Sequence, residues 1–143
     1  MEMPRKAFFA TPQEAETAFY EARARGDIEA MMAVWGDEDD IVCALAGCPR
    51  ASGYDEVREA WRRVFAGTRV DVRIANAHVM QGVLQSIHSL NEQCSAPGDS
   101  TPRPTLIVTN VYLRGPLGWH MVLHHASVAP AVQEIKGAPK VLH

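Results

Sequence analysis

Asn110, His124 and His125 stand among apolar residues in the stretch PTLIVTNVYLRGPLGWHMVLHHAS, from Pro104 to Ser127. An amide can orient or polarise a carbonyl, and an imidazole titrates near neutral pH, so the three carry the elements of acid–base chemistry. The stretch reads as two β-strands joined by the turn Gly115-Pro116-Leu117-Gly118. If Arg114 pairs with Trp119 across that turn, Asn110 falls opposite Leu123 and Val108 opposite His125. Asn110, Tyr112, Trp119, Met121 and His125 then share one face, and His120, Val122 and His124 the other. Asn110 and His125 become diagonal neighbours, roughly 7–8 Å apart by backbone position. The face with the larger apolar residues is expected to be the interior. That puts Asn110 and His125 in a pocket and His124 at an interface with a second copy. A one-residue slip in register exchanges the two groups. A lone histidine on an apolar strand is also a common core residue satisfied by one hydrogen bond, so a purely structural role remains open.

The chain has six histidines, but strand geometry separates those of the hairpin. His120 and His124 share a face yet lie about 13 Å apart along the strand. His124 and His125 are adjacent and point to opposite faces. Neither pair closes on one ion at a bond length of about 2 Å, so no metal and no other cofactor is expected. His78 and Asn76 belong to an earlier strand and face either the pocket or solvent. Cys43, Cys48 and Cys94 form no CxxC pair and no zinc spacing. Their odd number suits a reducing compartment rather than a disulfide framework.

The elements that must position these groups follow a simple order. Thr11, Pro12 and Glu14 predict the N-cap, first residue and capping-box partner of a helix whose apolar face is Ala15, Ala18, Phe19 and Ala22. Gly26 stops it, and Asp27 caps a second helix that buries Ile28, Met31, Met32 and Trp35. Asp37-Glu38-Asp39-Asp40 reads as a solvated turn, Ile41 to Leu45 as a short apolar strand and Ala46 to Gly53 as a loop. YDEVREAWRRVFAG gives a third helix with Val57, Trp61, Val64 and Phe65 on one side, ended by Gly67. Alternation from Arg69 to Met80 marks a half-exposed strand, with a turn at Gln81-Gly82 and a returning strand from Val83 to Gln93. A flexible loop from Cys94 to Arg103 leads to the hairpin. The expected fold is α+β, a curved antiparallel sheet packed on three N-terminal helices, with a cavity where short helices leave the bend unfilled. Trp35 and Trp61 line that interior.

At 143 residues the chain is expected to form one domain, with its core at about 11–127 and a tail over 128–143. A net charge of −3 and no basic cluster argue against nucleic acid. No apolar run reaches the roughly 20 residues that span a bilayer, and the N-terminus lacks the apolar core of a secretory signal. The cytoplasm is the default expectation. Both faces of the last two strands are apolar, which predicts a homodimer through the sheet.

Three stretches, ARGDIEAMMAVW, GYDEVREAWRRVF and TNVYLR with GWHMVLHHAS, resemble the nuclear transport factor 2-like superfamily, specifically its SnoaL-like branch. The resemblance spans Thr11 to Ser127 and implies a cone-shaped, cystatin-like α+β barrel, open at one end and usually dimeric. It implies no single activity, since relatives isomerise steroids, cyclise polyketides, hydrolyse epoxides or hold subunits together. Relatives place a carboxylate or a His-Pro pair after the first strand. Here that stretch is Cys43-Ala44-Leu45-Ala46-Gly47-Cys48-Pro49, with no general base. In some relatives the position of Asn110 carries a pocket arginine. The expected ligand pocket comprises Asn110, His125, Tyr112, Trp35, Trp61, Met121 and His78. Binding of a small apolar molecule is the first functional expectation, with no catalytic residue assigned. The alternatives are a lyase, isomerase or hydrolase using His125 and Asn110, and a dimerisation module.

Overall fold

The computed structural model describes residues 7–36 and 39–130. Thr11 opens α1 (Pro12–Arg25) by accepting from the Glu14 amide at 3.1 Å, and Pro12 occupies the first turn, where its missing N–H leaves no gap. The Glu14 carboxylate folds back to the amide of Ala10 at 3.0 Å, one residue before the cap. Gly26 ends α1 in the left-handed region, and Asp27 caps α2 (Ile28–Val34) through the Ala30 amide. After α3 (Tyr54–Ala66), Gly67 closes the helix onto the carbonyl of Val64. The apolar stripes of the three helices meet Trp35, Ile41, Cys43, Tyr112, Trp119 and Met121 in one core.

Among the described residues six strands form one curved sheet: β1 (Val42–Ala44), β2 (Ala51–Ser52), β3 (Asp71–Gln81), β4 (Gln85–Ser95), β5 (Leu106–Gly115) and β6 (Gly118–Val128). Their spatial order is β2-β1-β6-β5-β4-β3. The sheet is open, with β2 and β3 at its edges. It is mixed rather than wholly antiparallel, because β1 runs parallel to β6 while every other pair is antiparallel. The short β2 lies inside the segment expected to be a loop. Two residues are too few to show a period, and they pair with β1 only because the chain turns back at Leu45–Cys48.

The β5–β6 hairpin begins in the expected register, with Arg114 opposite Trp119 and Tyr112 opposite Met121. A bulge at Val122 then inserts one residue, so Val111 pairs with Leu123 and Asn110 with His124. A bulge leaves its extra residue unpaired and shifts the side-chain alternation beyond it by one. The face toward the helices is therefore Trp119 and Met121 before the bulge and His124 and Ala126 after it. Asp37, Glu38 and the tail from residue 131 lie outside the described residues.

Candidate functional site

Four adjacent strands each contribute one side chain to a row across the helix-side face. His88 on β4 stands opposite Asn110 on β5, Asn110 opposite His124 on β6, and His124 beside Cys43 on β1. All four are buried. Over this row lies α1, whose Glu16, Tyr20 and Arg23 are spaced by four and three residues and so share one stripe.

Glu16 is the point of convergence. Its Oε2 accepts from Asn110 Nδ2 at 3.1 Å and from the Tyr112 hydroxyl at 2.9 Å. His88 Nδ1 lies 3.1 Å from Glu16 Oε1, off the line of a hydrogen bond, while its Nε2 meets Ser86 Oγ at 2.9 Å. Burial alone would raise the Glu16 pKa; contact with His88 and bonds from Asn110 and Tyr112 outweigh it and hold the carboxyl below its ordinary value. A second carboxylate, Glu92 on β4, sits beneath the later turns of α1. Glu92 accepts from the Tyr20 hydroxyl at 2.6 Å and from Arg23 at 3.0 Å. Arg23 in turn lies 5.4 Å from the Trp61 ring centroid. Burial and then the neighbouring carboxylates push both phenols well above their ordinary pKa, Tyr20 beside Glu92 and Tyr112 beside Glu16, so each stays a donor.

His124 closes the row from β6. Its Nδ1 meets Asn110 Oδ1 at 2.6 Å, and its Nε2 has no hydrogen-bond partner among the described residues. The rings of Phe19 and Trp61 pack against it at 5.0 and 5.9 Å. Burial first, then the charges of Arg23 and His125, push its pKa down to about 3, so it is neutral at physiological pH. Beside it, the Cys43 thiol is pushed up to about 12 by burial and is inert as a nucleophile.

The expected pocket residues divide. Asn110, Tyr112, Trp35, Trp61 and Met121 are all fully buried, and Asn110 and Tyr112 belong to the network. His125 does not reach the interior: it is exposed on the outer face, and His124 takes the interior place that strand period predicts for His125, because of the Val122 bulge. His124 is correspondingly not on the outer face. His78 is exposed on the edge strand β3. Glu16, Tyr20, Arg23, Ser86, His88 and Glu92 are site residues that the sequence expectation does not include. The signal was present: a polar stripe one residue out of phase with Ala15, Phe19 and Ala22, and a β4 alternation whose polar members occupy the buried face.

The largest part of the network lies apart from a cavity of about 640 Å³, which opens between α3 and the β1–β2 segment and meets the interior row at Cys43. Cys43, Leu45, Ala51, Ala60 and Val64 give it an apolar floor; Arg50, Asp55, Glu56, Glu59 and Arg63 give it a charged rim. None of the expected pocket residues lines it. The loop after β1 does, through Leu45, Cys48 and Pro49, and contributes no general base. Among the described residues no group of three or more His, Cys, Asp or Glu is arranged to hold a metal ion. No helix among them is long and apolar enough to cross a membrane.

Residues 13–131 match the SnoaL-like domain family. A solved structure from Thiobacillus denitrificans, a proposed calcium/calmodulin-dependent protein kinase type II association domain, is 34% identical, with 87% of this chain and 99% of that one covered and a TM-score of 0.78. A proposed dehydratase of the NTF2-like family from Streptomyces avermitilis is 29% identical over 84% of this chain and 94% of its own, at a TM-score of 0.75. The F-box protein SKIP8 of Arabidopsis thaliana is 27% identical over 127 residues, which are 86% of this chain. The chain spans about half of that plant protein's length, 53%.

Proposed function

Because the chain belongs to the SnoaL-like domain family, within the NTF2-like superfamily, we propose that it binds a small, largely apolar molecule in the cavity between α3 and the β1–β2 segment. One observation carries this reading: an apolar floor beneath a charged rim, enclosing about 640 Å³, within the range of about 300–1,000 Å³ usual for small-molecule sites. The interior network favours holding over turnover. Glu16 is already occupied by His88, Asn110 and Tyr112, and a carboxylate held below its ordinary pKa is a weak base.

The test is a thermal-shift and native mass-spectrometry screen with small aromatic and alicyclic compounds, on the wild type and on Ala60→Trp, which fills the cavity. At least one compound is expected to raise the wild-type Tm and to leave the variant unmoved, with far-UV circular dichroism showing both folded. Failure of a broad apolar library to bind, or equal binding by Ala60→Trp, overturns the reading.

A specific pair favours a second reading, acid–base catalysis. Glu16 and His88 form a carboxylate–imidazole contact at 3.1 Å beside the Tyr112 phenol, and the Streptomyces relative is a proposed dehydratase. A bound compound that gains deuterium from D2O in the wild type but not in His88→Asn supports proton transfer at this pair. No exchange in either leaves binding alone.

A further inference from the structure

The C-terminal ends of α1 and α3 meet on the far side of Val64 from the cavity just described. Gly26, at φ +64°, lets the chain leave α1 against α3, where an added Cβ would sit 3.9 Å from the Phe65 side chain. Beside this junction lies a second cavity of about 210 Å³, walled by Arg23, Arg25, Phe65, Thr68, Arg69 and Val70 among others. Three of its wall residues are arginines and none is acidic, in a chain whose net charge is −3. Like charges are gathered around the hollow, and the counter-charges of two of them, Glu92 for Arg23 and Asp27 for Arg25, lie outside its wall.

The three guanidiniums differ in how firmly they are held. Arg23 is anchored, 3.0 Å from Glu92 and over the Trp61 ring, so its position is set before anything binds. Arg25 reaches Asp27 only at 3.6 Å, with both side chains about half exposed. Arg69 is exposed and has no hydrogen bond or ion pair among the described residues. Two cations are therefore available to a ligand and a third is fixed beside them. The partial negative charges at the ends of α1 and α3 oppose an anion here, and Glu92 and Asp27 offset Arg23 and Arg25, so the attraction rests on Arg69 and the loosely held Arg25.

We propose that this cavity binds a compact oxyanion, specifically a phosphate group, either free or at the end of a small metabolite. Its size admits such a group with few attached atoms. The wall takes arginines from α1 and from the segment before β3 and a threonine, Thr68, and guanidinium forks and a hydroxyl are donors suited to the oxygens of a tetrahedral anion. It shares one wall residue, Val64, with the α3/β1–β2 cavity, while Arg23, Arg25 and Arg69 line this one alone.

Isothermal titration of the full chain with inorganic phosphate and with phenyl phosphate, at ionic strength matched with sodium chloride, tests it. Saturable one-to-one binding is expected for at least one of the two, weakened tenfold or more in Arg69→Gln and in Arg25→Gln. Equal affinities point to the free anion, and tighter phenyl phosphate to a phosphorylated metabolite. Both arginines are exposed, so far-UV circular dichroism is expected to be unchanged. Heat no greater than that of the chloride control, or variants within twofold of the wild type, overturns the proposal.

Discussion

Asn110 Oδ1 lies 2.6 Å from His124 Nδ1 across β5 and β6, and this contact sets the protonation of the interior. Asn110 directs its amide nitrogen to Glu16 and Tyr20, each at 3.1 Å, so only its carbonyl faces the imidazole. His124 then donates from Nδ1 and keeps Nε2 as the lone-pair nitrogen, a tautomer inferred from the hydrogen-bond inventory. Protonating Nε2 would place a charge between Phe19 and Trp61 with no acceptor for it.

Stability is expected to fall with acid because of His124. Its pKa is about 3 in the folded chain against 6.5 for an ordinary histidine. Between those values the unfolded chain binds the extra proton, so stability is present above about pH 6.5 and is lost as pH falls toward 3. From pH 6.5 to 5 the loss is about 2 kcal/mol, at about 1.4 kcal/mol per unit. Glu16, whose pKa is lowered from 4.5, acts in a separate window and withdraws its stabilisation only below that value. Urea unfolding at pH 7.5, 6.5 and 5 reads the slope, and His124→Gln should flatten it. The same slope in both chains refutes the assignment.

Asn110→Ala is expected to destabilise the fold by about 3 kcal/mol. It removes a partner from Glu16, Tyr20 and His124 together, and each buried group left unsatisfied costs about 1–3 kcal/mol before relaxation. Chemical denaturation measures the loss. A change below about 1 kcal/mol would mean that the three groups find each other without the amide.

A homodimer through the outer sheet face is proposed, and light scattering after size exclusion tests it. That face carries Met80 at 58% exposure and Ile107 and Leu113 at 42%, around the half-buried Ile87, Val111 and Leu123. Contiguous apolar surface of this kind is usually covered. A dimer is expected at micromolar concentration, and Ile107→Lys combined with Val111→Lys should yield a folded monomer. A wild-type monomer at that concentration removes the dimer from the reading.

Gly118→Ala should cost about 2 kcal/mol or more, whereas Gly115→Ala, in the same turn, should be near neutral. Gly118 has φ +92°, and a Cβ there would lie 2.5 Å from the Phe9 carbonyl oxygen. Phe9 bridges to Gly118, and its carbonyl accepts from the Trp119 amide at 2.9 Å, so the N-terminal segment has little freedom to withdraw. A Cβ on Gly115 meets nothing within 4 Å. Thermal midpoints of the two variants decide the comparison.

Much of the architecture is legible in the sequence because its causes are local. Thr11 and Asp27 cap their helices, Gly26 takes the left-handed end, and the Gly115–Gly118 turn sets Arg114 opposite Trp119, each through contacts a few residues long. The network is not local. Glu16 and Tyr112 are 96 residues apart, and Arg23 and Glu92 are 69 apart, so a polar stripe on α1 cannot be told from a solvated one until the sheet lies beneath it. The Val122 bulge is decided at the same level. Strand period alone assigns His125 to the interior; only the packing of Met121 and His124 under the helices fixes which residue is extra, and with it which histidine is buried. Alternation supplies two faces, and tertiary contact chooses between them, because burial is a property of what lies opposite.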